Sequence, residues 1–236
     1  MLEKIREELK EAAEEQYRIF SAGLLPGTEG ILGVRLPKVR KIAKSYVRQC
    51  NGEKNLFDQW EEAYHNGQKF FFEELMIWGM QIGYAPLDRE ERKQRLLFFV
   101  ERIDNWSVCD SCCITYKFMK EDPEFWWEFL RPLFGNQKEF TVRFAVVCGL
   151  DFFIMEDYME EFLRILESLS CDAYYAQMAQ AWALSMCYVA FPKQTEKILA
   201  AGKLADMVQN KTIQKIRESR QIGKEEKDKL LKYRRR

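Results

Sequence analysis

The sequence predicts an all-α fold arranged as an α-solenoid, and three observations carry that prediction. Apolar residues recur at three- and four-residue steps in one segment after another, with no strand-like alternation. Short turns marked by Gly, Pro and capping residues separate the segments. Related-looking stretches return at intervals of roughly forty residues, at Glu74 to Met80, Thr141 to Val147 and Gln180 to Met186.

Residues 3–22 read as the first helix, with Ile5, Leu9, Ala12, Ala13 and Tyr17 along its apolar stripe. Gly23 to Gly30 is a loop by its Gly and Pro content, and Pro37 fits the first turn of a helix running to about Gln49. Further helices are expected at roughly 55–65, 68–83, 88–103, 106–120, 123–134, 138–154, 157–169, 172–190, 193–200 and 203–219. Asp88 with Glu91 makes a capping box, Asp122 is an N-cap before Pro123, and Phe191-Pro192 stops one helix and opens the next. Helices this short, joined by brief turns, imply antiparallel pairs stacked side by side, with a concave face lined by the second helix of each pair. A period of about 40–47 residues is that of HEAT-type repeats. The expected organisation is one domain over 1–222, followed by a basic C-terminal tail or final helix over 223–236.

With 236 residues, 47% hydrophobic and 14% aromatic, the chain suits a folded core rather than disorder. Lys plus Arg equals Asp plus Glu, 37 of each, so any basic surface must be local. Two clusters offer one: Arg35, Lys38, Arg40, Lys41, Lys44 and Arg48, then a C-terminal group from Lys211 and Lys215 to Arg236. Both suit DNA-backbone phosphates, and the plainer reading is a solvated helix face and a frayed tail. The charged N-terminus and the lack of an apolar run of about 18 residues give no leader and no membrane span, so a cytoplasmic protein is expected. Seven cysteines, an odd number set mostly in apolar runs, read as buried free thiols. Cys109 and Cys112 have C-x-x-C spacing without a second pair, and His65 is the only histidine, so neither a metal site nor a His-based nucleophilic dyad is expected. No Gly-rich phosphate loop is present, and no cofactor is implied.

Asp104 to Asp110 carries the most chemistry, because Trp106 and Asp110 stand four residues apart at the start of an apolar helix and so share a face. With Arg143 and Trp182 inside later apolar helices, such a face suits a cationic, sugar-bearing ligand held against a phosphate. On spacing alone, Trp106 reads rather as a core residue and Asp110 as a solvated or capping carboxylate. Arg143 by itself is an ion-pair or snorkelling residue, and Trp182, like Trp60, Trp78, Trp126 and Trp127, a core aromatic.

In order along the chain, these residues resemble the DNA alkylation repair family of HEAT-like-repeat, AlkD-like glycosylases. Leu32 to Arg40 resembles the family's N-terminal Gly-hydrophobic-x-x-Pro-x-x-Arg signature, and Trp106 with Asp110 its Trp-x-x-x-Asp. Arg143 lies in a helix resembling the Arg-bearing one, and Trp182 resembles the second aromatic. The resemblance implies a monofunctional glycosylase that hydrolyses the N-glycosidic bond of cationic N3- and N7-alkylpurines in duplex DNA without base flipping. Asp110 would be the catalytic carboxylate, Trp106 and Trp182 the contacts to sugar and base, and Arg143 the phosphate clamp. The expected partner is alkylated double-stranded DNA, bound by a monomer in the bacterial cytosol. The alternative is a non-catalytic HEAT-repeat module that binds DNA structures or a protein partner.

Overall fold

The structure, a computed structural model, describes residues 1–50 and 55–235, so Arg236 lies outside the described residues. All regular structure among them is helical, with fourteen α-helices and two 3-10 turns, which bears out the all-α expectation. The chain divides into two compact units, Met1–Phe118 and Met119–Arg236.

The first unit holds α1 (Leu2–Glu11), α2 (Glu15–Leu24), α3 (Leu36–Gln49), α4 (Asn55–His65), α5 (Phe72–Tyr84), α6 (Arg89–Val100) and α7 (Trp106–Cys113). Its centre is α5, which packs on α1, α3, α6 and α7. Met76, Ile77, Trp78, Met80 and Ile82 make α5 apolar all round, the pattern of an interior helix, and all five are buried. Gly79 lets neighbours approach closely, since a Cβ there would fall on Phe99 and Cys112. Trp60 stacks on Trp78 with ring centroids 5.7 Å apart, and its Nε1 donates to Gln81 Oε1 at 2.8 Å.

Two carboxylates interrupt that apolar helix, Glu73 at 1% exposure and Glu74 at 0%. A buried carboxylate needs donors around it. Glu73 accepts the backbone N–H groups of Leu32 (3.0 Å), Gly33 (2.7 Å) and Val34 (3.1 Å). Glu74 accepts Arg6 Nε at 2.8 Å, Arg6 Nη2 at 3.0 Å and the Phe71 N–H at 2.8 Å.

The Glu73 clamp explains the main departure from the expected helices. Gly33 sits at φ +88°, and its carbonyl accepts the Glu14 N–H at 3.0 Å, so the single helix expected over 3–22 is broken into α1 and α2. A Cβ at Gly33 would lie 2.6 Å from the Arg18 nitrogen and the Glu14 oxygen, so glycine alone fits. The end of α2 reaches Leu24, inside the expected loop. The helix expected from 68 starts at Phe72, after Gly67 at φ +76°. The helix expected over 106–120 stops at Cys113, because Thr115 bonds back to the Cys112 carbonyl through its N–H (2.9 Å) and its Oγ1 (2.6 Å). A 3-10 turn follows at Lys117–Lys120.

The second unit holds α8 (Pro123–Phe134), α9 (Glu139–Phe152), α10 (Glu156–Ser168), α11 (Tyr174–Ala190), α12 (Pro192–Ala201), α13 (Asp206–Glu218) and α14 (Lys224–Lys229). Here α11 is central, packed on α9, α10, α12 and α13. Pro123 and Pro192 open their helices as expected. Trp126 and Trp127 are core residues at 1% exposure, and Trp127 Nε1 donates to Glu161 Oε2 at 2.8 Å. The segment expected as a tail or final helix forms α14 and a 3-10 turn, Leu230–Tyr233, docked on the unit. Leu230 is buried, Tyr188 donates to Glu226 and Tyr233 to Glu196, both at 2.9 Å.

Candidate functional site

The start of α7 is built by Asn105. Its Oδ1 accepts the Val108 N–H at 2.9 Å, capping the helix, and its Nδ2 donates to Asp104 Oδ1 at 2.8 Å. Val108, Cys109, Cys112 and Cys113 face the core, which turns Trp106 and Asp110 to a partly exposed side of the same helix. Trp106 Nε1 donates to the Leu24 carbonyl at 3.3 Å, so the end of α2 fixes the indole. Burial pushes the neighbouring Cys112 thiol well above its ordinary value, with Cys109 and Asp110 adding to the shift, so it is not poised as a thiolate nucleophile.

The first cation cluster separates into two kinds. Arg35 is tied to Glu14 through three contacts of 2.9 to 3.1 Å and lies over the Tyr17 ring, and the Glu14 hydrogen bond raises its pKa. Lys38 pairs with Glu8 Oε1 at 3.1 Å. Arg40, Lys41, Lys44 and Arg48 make no ion pair among the described residues and line one shallow surface of α3, opposite buried Val39, Ile42, Ala43, Tyr46 and Val47. Nothing in sequence spacing distinguishes the paired cations from the others, because Glu14 and Glu8 come from a separate part of the chain.

In the second unit, Arg143 is nearly buried, at 6% exposure, and its Nη1 donates to the Tyr175 carbonyl at 2.8 Å. Glu139, one turn earlier on α9, accepts the Tyr175 N–H at 2.6 Å, so two α9 side chains grip the first turn of α11. Trp182 is partly exposed, two turns along α11 from Tyr175 and on the same face. On α13, Lys211 donates to Gln214 Oε1 at 3.1 Å and lines a surface depression with Arg217 and Arg234, and Lys215 is partly exposed. The structure thus brings Trp106 and Asp110 together on α7, and puts Arg143 and Trp182 on the packed pair α9 and α11. Sequence spacing did not reveal the Leu24 anchor on Trp106, because the acceptor is a backbone carbonyl and Leu24 falls in the segment expected as a loop.

Six of the seven cysteines are buried and all are free, Cys171 being half-buried. His65 packs edge-on against Phe98, with ring centroids 5.5 Å apart. Among the described residues, no three His, Cys, Asp or Glu side chains gather as metal donors, and no helix is long and apolar enough to cross a membrane.

A helix face of cations without ion pairs among the described residues is a surface for a polyanion, so fold and site together point to an all-α, nucleic-acid-binding class of protein. The family model described as DNA alkylation repair enzyme matches residues 5–229, and the chain belongs to that family. Comparison with curated proteins and with solved structures gives no match. Membership makes the chain an enzyme of alkylation repair, with DNA as its substrate.

Proposed function

We propose that the chain is a monofunctional DNA glycosylase that hydrolyses the N-glycosidic bond of cationic N3- and N7-alkylpurines in duplex DNA without base flipping. The observation that carries this reading is the Asn105-capped start of α7, which sets an anchored Trp106 one turn from a partly exposed Asp110. Alkylation makes the base a cationic leaving group, so its departure needs no protonation. The growing charge is on the sugar, where a fixed carboxylate stabilises it. Asp110 takes that role and orients or deprotonates the attacking water. The electron-rich face of Trp106 attracts the same positive charge as it develops, a contact worth about 0.5–2 kcal/mol. In the second unit, Trp182 is assigned to a like contact and Arg143 to a phosphate, which fixes register without reading sequence. Arg40, Lys41 and Lys44 are assigned to phosphates, as are Lys211 and Lys215. Arg35 and Lys38 would have to leave Glu14 and Glu8 to join them. On this reading the enzyme is a cytoplasmic monomer acting on double-stranded DNA.

The test is single-turnover release of 7-methylguanine and 3-methyladenine from alkylated duplex, with Asp110→Asn and a no-enzyme control for spontaneous depurination. Release well above background that falls on the order of 100-fold or more in Asp110→Asn is the expected result. Release no faster than background with DNA binding intact would replace the reading with a non-catalytic DNA-binding module, which the α3 cations alone would serve.

A further inference from the structure

The segment that follows α14 is fastened to α12 and α13 on both sides of one residue. Before that residue, the Tyr233 carbonyl accepts Gln209 Nε2 at 3.0 Å and the Tyr233 hydroxyl donates to Glu196. After it, the Arg235 N–H donates to Asn210 Oδ1 at 2.9 Å, the Arg235 carbonyl accepts Asn210 Nδ2 at 3.2 Å, and the Arg235 guanidinium donates to Asp206 at 2.7 Å. Arg234, between the two, is exposed and makes no ion pair among the described residues, so docking of the segment does not use its side chain. It stands at a depression of about 550 Å³, along whose α13 side run Asn210, Lys211, Gln214 and Arg217, spaced i, i+1, i+4 and i+7. Lys211 is bonded only to neutral Gln214, and Arg217 reaches Asp228 only at 4.0 Å. Glu218, the acid of the lining, accepts Gln214 Nε2 at 2.9 Å. Three cations against one carboxylate leave the depression positive.

We propose that the docked C-terminal segment is part of the DNA-binding surface: Arg234 joins Lys211 and Arg217 in holding backbone phosphates, and docking of the segment and binding of duplex DNA stabilise each other. The inference rests on the phosphate role given to Lys211 above and not on the glycosylase chemistry. An open, positive depression fits a row of phosphates, and DNA is the substrate that family membership gives the chain. A guanidinium meets a phosphate through two parallel, charge-assisted hydrogen bonds. Because the backbone is tied at Tyr233 and at Arg235, Arg234 has little freedom left to lose when it makes that contact. A loose segment would have to be ordered at the moment of binding and would give back part of the gain. Asn210 is therefore a positioning residue, acting on DNA through Arg234. Linkage makes the effect reciprocal: the factor by which docking raises affinity for duplex is the factor by which duplex favours docking.

The experiment titrates undamaged duplex with the full chain over a range of salt, and follows hydrogen exchange of the Arg234 and Arg235 amides with and without duplex. Arg234→Ala, at an exposed position whose loss leaves the fold intact, is expected to make the slope of log affinity against log salt shallower by about 0.9. That is an affinity loss about 3.5-fold smaller between about 50 and 200 mM salt. Lys211→Ala and Arg217→Ala act in the same way. Asn210→Ala removes no charge, yet it should also make the slope shallower by releasing the segment, and should add nothing in the Arg234→Ala background. Duplex slows exchange of the two amides in wild type and not in Arg234→Ala. A slope and an amide exchange that Arg234→Ala leaves unmoved overturn the proposal, as does an effect of Asn210→Ala that adds in full to that of Arg234→Ala. Binding that behaves as expected while alkylated duplex releases no base upholds this proposal and removes the glycosylase reading instead.

Discussion

Carboxylates in this chain differ in role because they differ in donors and exposure. Glu73 and Glu74 are buried and surrounded by N–H groups, which makes them fasteners, whereas Asp110 lies partly open beside an anchored indole. Glu161 is intermediate: the Arg131 hydrogen bond, helped by Trp127 Nε1, holds its carboxyl below the ordinary 4.5. A group with a depressed folded pKa stabilises above its unfolded value, and that contribution is lost as pH falls through the folded one. The difference in Tm between wild type and Glu161→Gln should therefore be largest above the ordinary carboxylate range and shrink as pH falls through the depressed folded value. Thermal unfolding across that range checks it, and a constant gap would contradict the pairing. At this scale Trp106 and Asp110 were readable because one helical turn relates them. The near-burial of Arg143 was not, since its partner Tyr175 is 32 residues away.

At the element scale, the helices themselves follow from periodicity and caps, and their ends follow from contacts that periodicity does not contain. Pro123, Pro192 and the Asp88 cap, which accepts the Glu91 N–H at 2.9 Å, lie next to what they control and were legible. The break between α1 and α2 depends on Glu73 and Gly33, distant in sequence from each other, and an apolar stripe running through residues 3–22 conceals it. Asn105 is the local device most closely tied to function. Asn105→Ala removes the cap of α7, at a cost of about 1 kcal/mol, or roughly 2–4 °C in Tm for a chain of this size. Since the same cap positions Trp106 and Asp110, release of 3-methyladenine should fall by about tenfold at a temperature where the variant is fully folded. Normal release from a folded Asn105→Ala protein would mean that the α7 start does not set the site.

For the whole molecule, 37 basic and 37 acidic residues cancel, so long-range attraction to DNA is weak and binding has to come from places where cations are not neutralised by carboxylates. Sequence alone made the N-terminal cluster look uniform. The structure gives Arg35 and Lys38 to Glu14 and Glu8, leaving Arg40, Lys41, Lys44 and Arg48 on α3 without an ion pair among the described residues, Lys44 lying over the Tyr84 ring. Each phosphate neutralised contributes about −0.9 to the slope of log affinity against log salt on duplex DNA. The three assigned to phosphates, Arg40, Lys41 and Lys44, give a slope of about −2.7 from α3 alone. Arg40→Ala and Lys44→Ala should each make the slope shallower by about 0.9, without regard to sequence or damage. Arg35→Ala and Lys38→Ala should barely move it, because freeing Glu14 or Glu8 exposes a carboxylate without removing a phosphate contact. Titrating undamaged duplex over a range of salt concentrations separates these cases. A slope reduced equally by all four substitutions would mean that the ion pairs open on DNA. A slope reduced only by Lys211→Ala and Lys215→Ala would transfer phosphate binding from α3 to α13.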